Sequence, residues 1–455
     1  MSRIKNVDVL NGPLFSSIIR FGVPLLFVAL IQSLFNAMDL MVLGQMASTD
    51  AVAAVGATST IVNLIVTVSI GISAGAKIVL ARLIGEGVSK RTQENIFTSM
   101  ITALALGIIT AIIGIAFAPY FLELTKCPET IRNDARSYIS LYFSAAPAIM
   151  IYNFGSNIIQ VSGDSQRPLY YMIFAGLLNV VMNVILCLIM PQKVAAVAIA
   201  TAASQILGAI LVFRRLTVIN GDCRFSIKSG KWRWRSFKKI MANGLPIGLS
   251  SSLYPLASLQ IQSALNSYGS AAIAGSSAAT NIEGVECAIS ATPWHSTVGV
   301  FVGQNVGADN KKRVKQSILA CTAISISFSI ILSAFAFLFA KPLLALFGST
   351  DEAIYYGRIR MMYTVVPYAV ACLNGILSNV IQAFGYSMFS TINSIISVFI
   401  FRVVWMRYIY PLAQNFHTLI LCFLVSWILV ALFNLGFFFY LYFRKFKADK
   451  LKKMG

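Results

Sequence analysis

The chain has 455 residues, of which 57% are hydrophobic and 11% charged, with a net charge of +20 and a mean hydropathy of +0.77. A soluble domain carries roughly 25% charged residues; here too little polar side chain is present to cover a water-soluble fold, so the remaining solvent is lipid. Nucleic acid is excluded as the reason for the positive balance, because the basic residues lie in short segments between apolar runs.

An α-helix needs about 20 apolar residues to cross about 30 Å of hydrocarbon. Twelve segments meet that length, at residues 14–40, 52–76, 96–118, 136–160, 169–190, 194–215, 241–265, 272–302, 316–341, 360–384, 388–410 and 416–443. Barrel-type alternation does not recur. The expected fold is therefore an all-α polytopic membrane protein. Basic residues precede the first segment (Arg3, Lys5) and follow the even-numbered ones: Arg82, Lys90 and Arg91, then Arg167, then a dense stretch from Arg214 to Lys239. Lys311, Lys312 and Arg313 follow the eighth, and a run from Arg444 to Lys453 follows the twelfth. The positive-inside rule places these loops and both termini in the cytoplasm of a multi-pass cell-membrane protein. An even number of crossings requires the same. Met1–Pro13 is polar and the first apolar run is too long for a signal h-region, so no cleavable signal is expected. Five of seven cysteines (Cys187, Cys287, Cys321, Cys372, Cys422) lie in apolar runs and read as small buried hydrophobes.

An internal repeat organises the twelve segments. Gly22-Val23-Pro24 recurs as Gly244-Leu245-Pro246 at an offset of 222. The same offset aligns Ser156-Asn157-Ile158-Ile159-Gln160 with Ser378-Asn379-Val380-Ile381-Gln382, and Gly85-Glu86-Gly87 with Gly307-Ala308-Asp309. Each half holds six crossings, so both insert with one orientation and form parallel repeats about an axis along the membrane normal. The expected division is an N-terminal six-helix lobe at 1–215, a basic cytoplasmic linker at 216–240, a C-terminal six-helix lobe at 241–443 and a basic tail at 444–455. Two such lobes leave a cleft that rocking opens to either side, which is transporter architecture.

Ionisable residues inside crossings carry the chemistry, because each costs about 2.5–3.5 kcal/mol to insert. Asp39 lies toward the outer end of the first segment. Low dielectric disfavours its charged form, so it suits a proton, or Na⁺ together with neighbouring oxygens; capping of the next turn is the structural alternative. Asn179 and Asn183 share one face of the fifth segment with Gly176, and Thr201, Ser204 and Gln205 form a polar stripe on the sixth. Interhelical hydrogen bonding explains each alone; with Asp39 they form a candidate ion site. Glu283 and Glu286 share a face of the eighth segment and could hold protons, attract a cationic substrate or pair with Arg402 of the eleventh. His295 reads as a satisfied interior histidine or a proton relay. Pro24 and Pro246 each remove a helix hydrogen bond and permit a bend. Phosphate-loop, HExxH and GxSxG signatures are absent, so the chain reads as no enzyme and as driven by an ion gradient.

These features together resemble the multidrug and toxic compound extrusion (MATE) family of secondary transporters over essentially the whole length. The matching residues are Gly22-x-Pro24, Asp39 ahead of Val42-x-Gly44-Gln45, Ala53-Ala54-Val55-Gly56 and Gly163-Asp164-x-x-x-Pro168. Gly176-x-x-Asn179, Ala198-Ile199-Ala200-Thr201 with Ser204-Gln205, and Gly303-Gln304-Asn305-x-Gly307-Ala308 complete the set. The resemblance implies an inner-membrane antiporter with a V-shaped cleft between two six-helix lobes. It would export amphipathic, often cationic, drugs or toxins in exchange for H⁺ or Na⁺, with no cofactor. It also implies an ion site in the first lobe: the family's first-span acid falls on Asp39, its fifth-span Asn on Asn179, its sixth-span Thr on Thr201 and its bending proline on Pro24. Two family acids are replaced. The position four residues after Asn179 is Asn183, and the position eight beyond Pro246 is Tyr254. Either Asp39 works alone or Glu283 and Glu286 add a second-lobe site. A monomer with no nucleic-acid partner is expected. A lipid-linked precursor flippase of the same superfamily is the alternative, and Arg402 and Arg407 are the residues that favour it.

Overall fold

The apolar runs fold as helices in the computed structural model, which describes residues 6–46, 49–124, 127–219, 221–227, 230–348 and 350–444. In chain order these are α1 (Leu14–Met46), α2 (Thr49–Gly85), α3 (Ser89–Ala116), α4 (Ala118–Leu124), α5 (Glu129–Ser144), α6 (Ala146–Val161), α7 (Gln166–Ile189), α8 (Lys193–Val218) and α9 (Trp234–Asn266). They continue as α10 (Ser270–Glu286), α11 (Thr292–Gly307), α12 (Lys311–Leu338), α13 (Ala340–Ala345), α14 (Asp351–Thr364) and α15 (Tyr368–Ala383). The last three are α16 (Ser387–Ser394), α17 (Phe401–Val404) and α18 (Phe416–Tyr442). No strand occurs among the described residues.

The protein is an all-α multi-pass membrane protein of twelve crossings. Among the described residues, eight spans are long and apolar enough on their own, and α14 with α15, bent by 41°, makes a ninth. The other expected crossings are broken or diluted. The fourth splits between α5 and α6 at Ala145, just ahead of Pro147, which cannot donate to a preceding turn. Serines dilute the seventh, α9. The eighth passes from α10 to α11 through a π-helical segment, Cys287–Ala291, ahead of Pro293. Outward faces are apolar, as at Ile108, Ile112 and Ile115 of α3 and Ile331, Phe335 and Leu338 of α12; lipid is their natural contact.

The chain divides into two compact units, Met1–Asp8 with Phe27–Gly248 and Val9–Leu26 with Leu249–Gly455. Both α1 and α9 are thus shared out. In the first unit α2 crosses the start of α9 through glycines spaced four apart on each helix. A Cβ on Gly71 would stand 2.3 Å from Gly248 Cα, and one on Gly75 would stand 2.4 Å from Gly244 N. Small residues at this spacing let backbones touch where lipid offers no hydrophobic drive for association. In the second unit the start of α1 packs on α11: a Cβ on Gly22 would stand 2.5 Å from the Trp294 ring, and Phe21 meets Phe301 edge-on at 5.7 Å. The repeat makes these two packings equivalent. Gly22 corresponds to Gly244, and Ile72, whose carbonyl would stand 2.5 Å from a Cβ on Gly244, corresponds to Trp294. Each half lends the first turns of its first helix to the other half's unit.

The offset of 222 also governs the turns after α6 and α15. Gly163 and Gly385 occupy it with φ of 88° and 86°, the left-handed region that favours glycine. Beyond Gly163, Asp164 pairs with Arg167 and lies 3.9 Å from Arg215. Their counterparts beyond Gly385 are Tyr386, Phe389 and Phe437, with Phe389 stacked on Phe437 at 3.7 Å and Tyr386 edge-on to it at 5.6 Å. An ionic clasp in one half and an aromatic clasp in the other fill the same place. Replacing Gly163 by alanine forces an L side chain into a left-handed position and sets its Cβ 2.4 Å from Val7 O. A loss of about 1–2 kcal/mol is expected, read as a lowered midpoint of thermal unfolding in detergent.

The basic segment before α9 docks on the first unit. Arg233 grips the buried Glu94 carboxylate of α3 through Nε and Nη2, both at 2.7 Å, and its backbone N donates to Thr98 Oγ1. Phe225 stacks on Phe97 and tilts against Phe213.

Candidate functional site

In the first unit the polar residues of α7 face inward and its large apolar residues outward. Gly176, Asn179 and Asn183 are buried, whereas Leu177, Val181, Ile185 and Leu188 are exposed. The buried groups form a directional chain with α8: Asn183 Nδ2 donates to Asn179 Oδ1 at 3.3 Å, and Asn179 Nδ2 donates to Thr201 Oγ1 at 3.4 Å. Thr201 Oγ1 in turn donates to Val197 O at 2.9 Å, and Ser204 Oγ donates to Thr201 O at 2.7 Å. The structure therefore brings together three of the four first-lobe residues singled out from sequence. The fourth, Asp39, lies on α1 with its side chain outside the described residues. The backbone still gives its register. A Cβ on Gly176 would stand 1.8 Å from the Phe35 ring, so α1 runs against α7 at that point, and Asp39 follows Phe35 by one turn.

A separate polar contact in the first unit joins α2 to α6. Lys77 Nζ donates to Gln160 Oε1 of α6 at 2.9 Å, four residues beyond the Asn157 Nδ2 contact with Ser73 Oγ at 2.9 Å. Placing the end of the second crossing at residue 76 put Lys77 in a loop; α2 runs on to Gly85.

The second unit holds a buried charged centre. Gly275 and Gly357 let α10 and α14 approach until a Cβ on Gly275 would stand 1.9 Å from Ala353 O. This crossing sets the acids of α10 beside Arg360. Glu283 is half-buried and faces the Thr364 hydroxyl and the guanidinium groups of Arg360 and Arg402. Glu286 is 3% exposed, and its Oε1 lies 3.0 Å from Ser329 Oγ and 2.8 Å from Ser333 Oγ of α12. Its Oε2 is buried and meets no hydrogen-bond partner.

Arg402 is 2% exposed, donates to Ser426 and Ser258, and sits 4.5 Å over the Phe423 ring. Arg360 donates to Ser276 Oγ and lies 5.2 Å from the same ring. Among the described residues no carboxylate comes within ion-pair distance of either arginine. A direct pair between Arg402 and Glu283 or Glu286 is therefore not formed; serines and an aromatic face hold the guanidinium instead. Tyr254 of α9 is partly exposed and faces Ser394 and Arg402.

The remaining candidates have quieter surroundings. His295 Nε2 lies 3.0 Å from Cys372 O, against Gly375. Pro24 and Pro246 lie inside the continuous helices α1 and α9. Arg407 is exposed. Arg360 was missed because it stands at the start of an expected crossing, where a basic residue reads as interfacial. The serines at 325, 329 and 333, spaced by four along α12, were a legible signal for a buried polar face. Among the described residues no cluster of three or more His, Cys, Asp or Glu side chains forms a metal site.

Comparison with known proteins adds to this geometry. A family model described as MatE matches residues 24–185 and 246–406. The chain is 25% identical over 402 residues to the probable multidrug resistance protein YpnP of Bacillus subtilis (strain 168), covering 88% of this chain and 89% of that one. It is 25% identical over 355 residues to the FAD transporter of Shewanella oneidensis, covering 76% and 77%. The crystal structure of MATE in complex with MaL6 superposes with a TM-score of 0.88 at 20% identity over 99% of both chains. At that identity the likeness to the solved structure is one of fold.

Proposed function

Since the chain belongs to the MatE family of membrane transporters, we propose that it is a secondary active multidrug exporter. It exchanges H⁺ or Na⁺ for amphipathic cationic drugs by alternating access, as a monomer in the cell membrane with both termini cytoplasmic. Asp39, Asn179, Asn183 and Thr201 form its ion-coupling set. The observation that carries this reading is the buried, uncharged chain from Asn183 through Asn179 to Thr201, alongside the α1 turn that bears Asp39. An acid on a helix turn that runs past uncharged amides and a hydroxyl suits reversible loading better than a fixed ion pair. Its charge is then set by whether a proton or alkali cation is bound. Each charge moved down the membrane potential supplies about 2.3 kcal/mol per ~100 mV. The ion drives the cycle only through a difference in its affinity for the two conformations.

Glu283 and Tyr254, with the exposed polar face of α10 at Ser277, Thr280 and Asn281, are the substrate contacts of the second lobe, and Pro24 and Pro246 are the bending points. The relative named a probable multidrug resistance protein supports the substrate class. Purified protein in liposomes tests the reading: ethidium accumulation is expected under an imposed proton or sodium gradient, the effective gradient identifying the ion. No accumulation under either gradient overturns it.

A second reading is favoured by Arg360 and Arg402, two buried guanidiniums that meet no ion-paired carboxylate among the described residues. They suit an anionic headgroup, as in a lipid-linked precursor flippase, and one relative is named an FAD transporter. Competition by anionic rather than cationic compounds in the same liposomes distinguishes the two.

A further inference from the structure

We infer that the paired ends of α7 and α8 form a binding site for an anionic phospholipid headgroup, held by Arg167, Arg214, Arg215 and the Tyr171 hydroxyl. The site lies wholly within the first unit, and neither the ion-coupling set nor the guanidiniums of the second unit take part in it. The two helices run antiparallel, with Asn179 beside Thr201 and Ala175 level with Gly208, where an added Cβ would stand 3.7 Å from Ala175 Cβ. From that level Arg167 lies back along α7 and Arg215 onward along α8, each by about 10–12 Å at ~1.5 Å per residue. Both therefore reach the same end of the pair, the end that continues into the basic linker.

Charge at this end is out of balance. Around the Tyr171 ring stand three guanidiniums, of Arg167, Arg214 and Arg215, and one carboxylate, of Asp164. That carboxylate is fully buried and already engaged. Its Oδ1 accepts from the Arg167 backbone N at 3.1 Å, and its Oδ2 is taken by the Arg167 guanidinium. Arg215 Nη2 comes only to 3.9 Å from the same oxygen, beyond hydrogen-bond length. Arg215 Nε is buried without a partner, and the side chain as a whole is 18% exposed. Among the described residues Arg215 thus makes no side-chain hydrogen bond, although a guanidinium withdrawn from water normally places its five donors on fixed acceptors. The Tyr171 hydroxyl has no acceptor among the described residues either. Two positive charges and a set of unused donors therefore face outward together. A phosphate group fits them, because it accepts guanidinium bonds in pairs and carries the opposite charge.

The neighbouring surface suits a lipid rather than a free anion. Toward the middle of each helix, Tyr170, Phe174 and Leu177 of α7 and Ile206, Ile210 and Phe213 of α8 are exposed. Their spacing of three to four residues puts each set on one face. A basic cluster at a helix end above outward apolar stripes gives a phospholipid a place for its headgroup and for its acyl chains. The leaflet is the cytoplasmic one under the orientation proposed above; the binding itself depends neither on that orientation nor on ion exchange.

Native mass spectrometry of the delipidated full-length protein in detergent tests the site. Cardiolipin, whose two phosphodiesters match the excess charge, is expected to form a one-lipid adduct more tightly than phosphatidylcholine and to raise the midpoint of thermal unfolding. Arg214→Gln and Arg215→Gln should each weaken that adduct about five- to tenfold. Lys90→Gln, which removes an exposed cation at the start of α3, should leave it unchanged. Arg214 is exposed, so its variant carries the test should Arg215→Gln fail to fold. An adduct undiminished in Arg214→Gln, or weakened equally in Lys90→Gln, overturns the site. Phosphatidylcholine binding as tightly as cardiolipin does the same. Displacement of cardiolipin by an equal concentration of inorganic phosphate overturns the choice of a lipid as the ligand.

Discussion

Replacing Gly75 by leucine is expected to leave little folded protein. The added Cβ would stand 2.4 Å from Gly244 N and 2.5 Å from Gly244 Cα and Ile240 O, all backbone atoms of the facing helix. No rotamer change can clear them; the two helices must separate. Overpacking a tight interior costs about 1–3 kcal/mol even when side chains can shift, and separating backbones costs more. That is a large share of the roughly 5–15 kcal/mol by which a fold is stable. Gly248→Leu should behave alike, since a Cβ there meets Val68 O at 2.8 Å. Gly436→Ala is the control, because a Cβ at that place meets nothing within 4 Å. Size-exclusion profiles in mild detergent should give a folded peak for the control and aggregate for the two leucine variants.

Asp39→Asn is expected to abolish dye efflux from cells while leaving expression and the folded peak intact. The change keeps shape and removes the only part of the side chain that can gain or lose a charge. A graded comparison comes from Thr201→Val, which takes away the hydroxyl that Asn179 donates to. An amide left without its partner in a buried place costs about 1–3 kcal/mol, and about 1.4 kcal/mol is tenfold in an equilibrium constant. Efflux by Thr201→Val should therefore persist, with its dependence on the coupling ion displaced by about tenfold. Full efflux by Asp39→Asn would remove Asp39 from the coupling set.

What the sequence makes visible follows from what is local. Among the described residues, apolar length alone locates eight crossings and a bent ninth, and Pro147, Pro293 and Pro367 mark where three of the expected segments are interrupted. The offset of 222 also pairs Gly163 with Gly385, whose turns the structure shows to be left-handed. It does not reveal that Gly22 meets Trp294 while Gly244 meets Ile72, because that exchange depends on which unit each helix start joins. Asn179, Asn183 and Thr201 were legible as a set, since their spacing puts them on facing stripes of adjacent helices. The partners of Glu94, Lys77 and Arg402 were not. Arg233 lies far along the chain from Glu94, Lys77 fell beyond an assumed helix end, and Arg402 is held by serines rather than by the acids that charge alone would select. Charge predicts that a buried ion needs a partner; only packing says which one it gets.

The most direct measurement of the coupling claim compares two modes of transport by one variant. Wild-type protein in liposomes should both accumulate ethidium against its gradient, when protons or sodium are supplied on the opposite side, and exchange labelled for unlabelled ethidium at equilibrium. Asp39→Asn should retain the exchange and lose the accumulation. Accumulation by Asp39→Asn that still responds to pH or sodium, at the wild-type rate, would contradict the account.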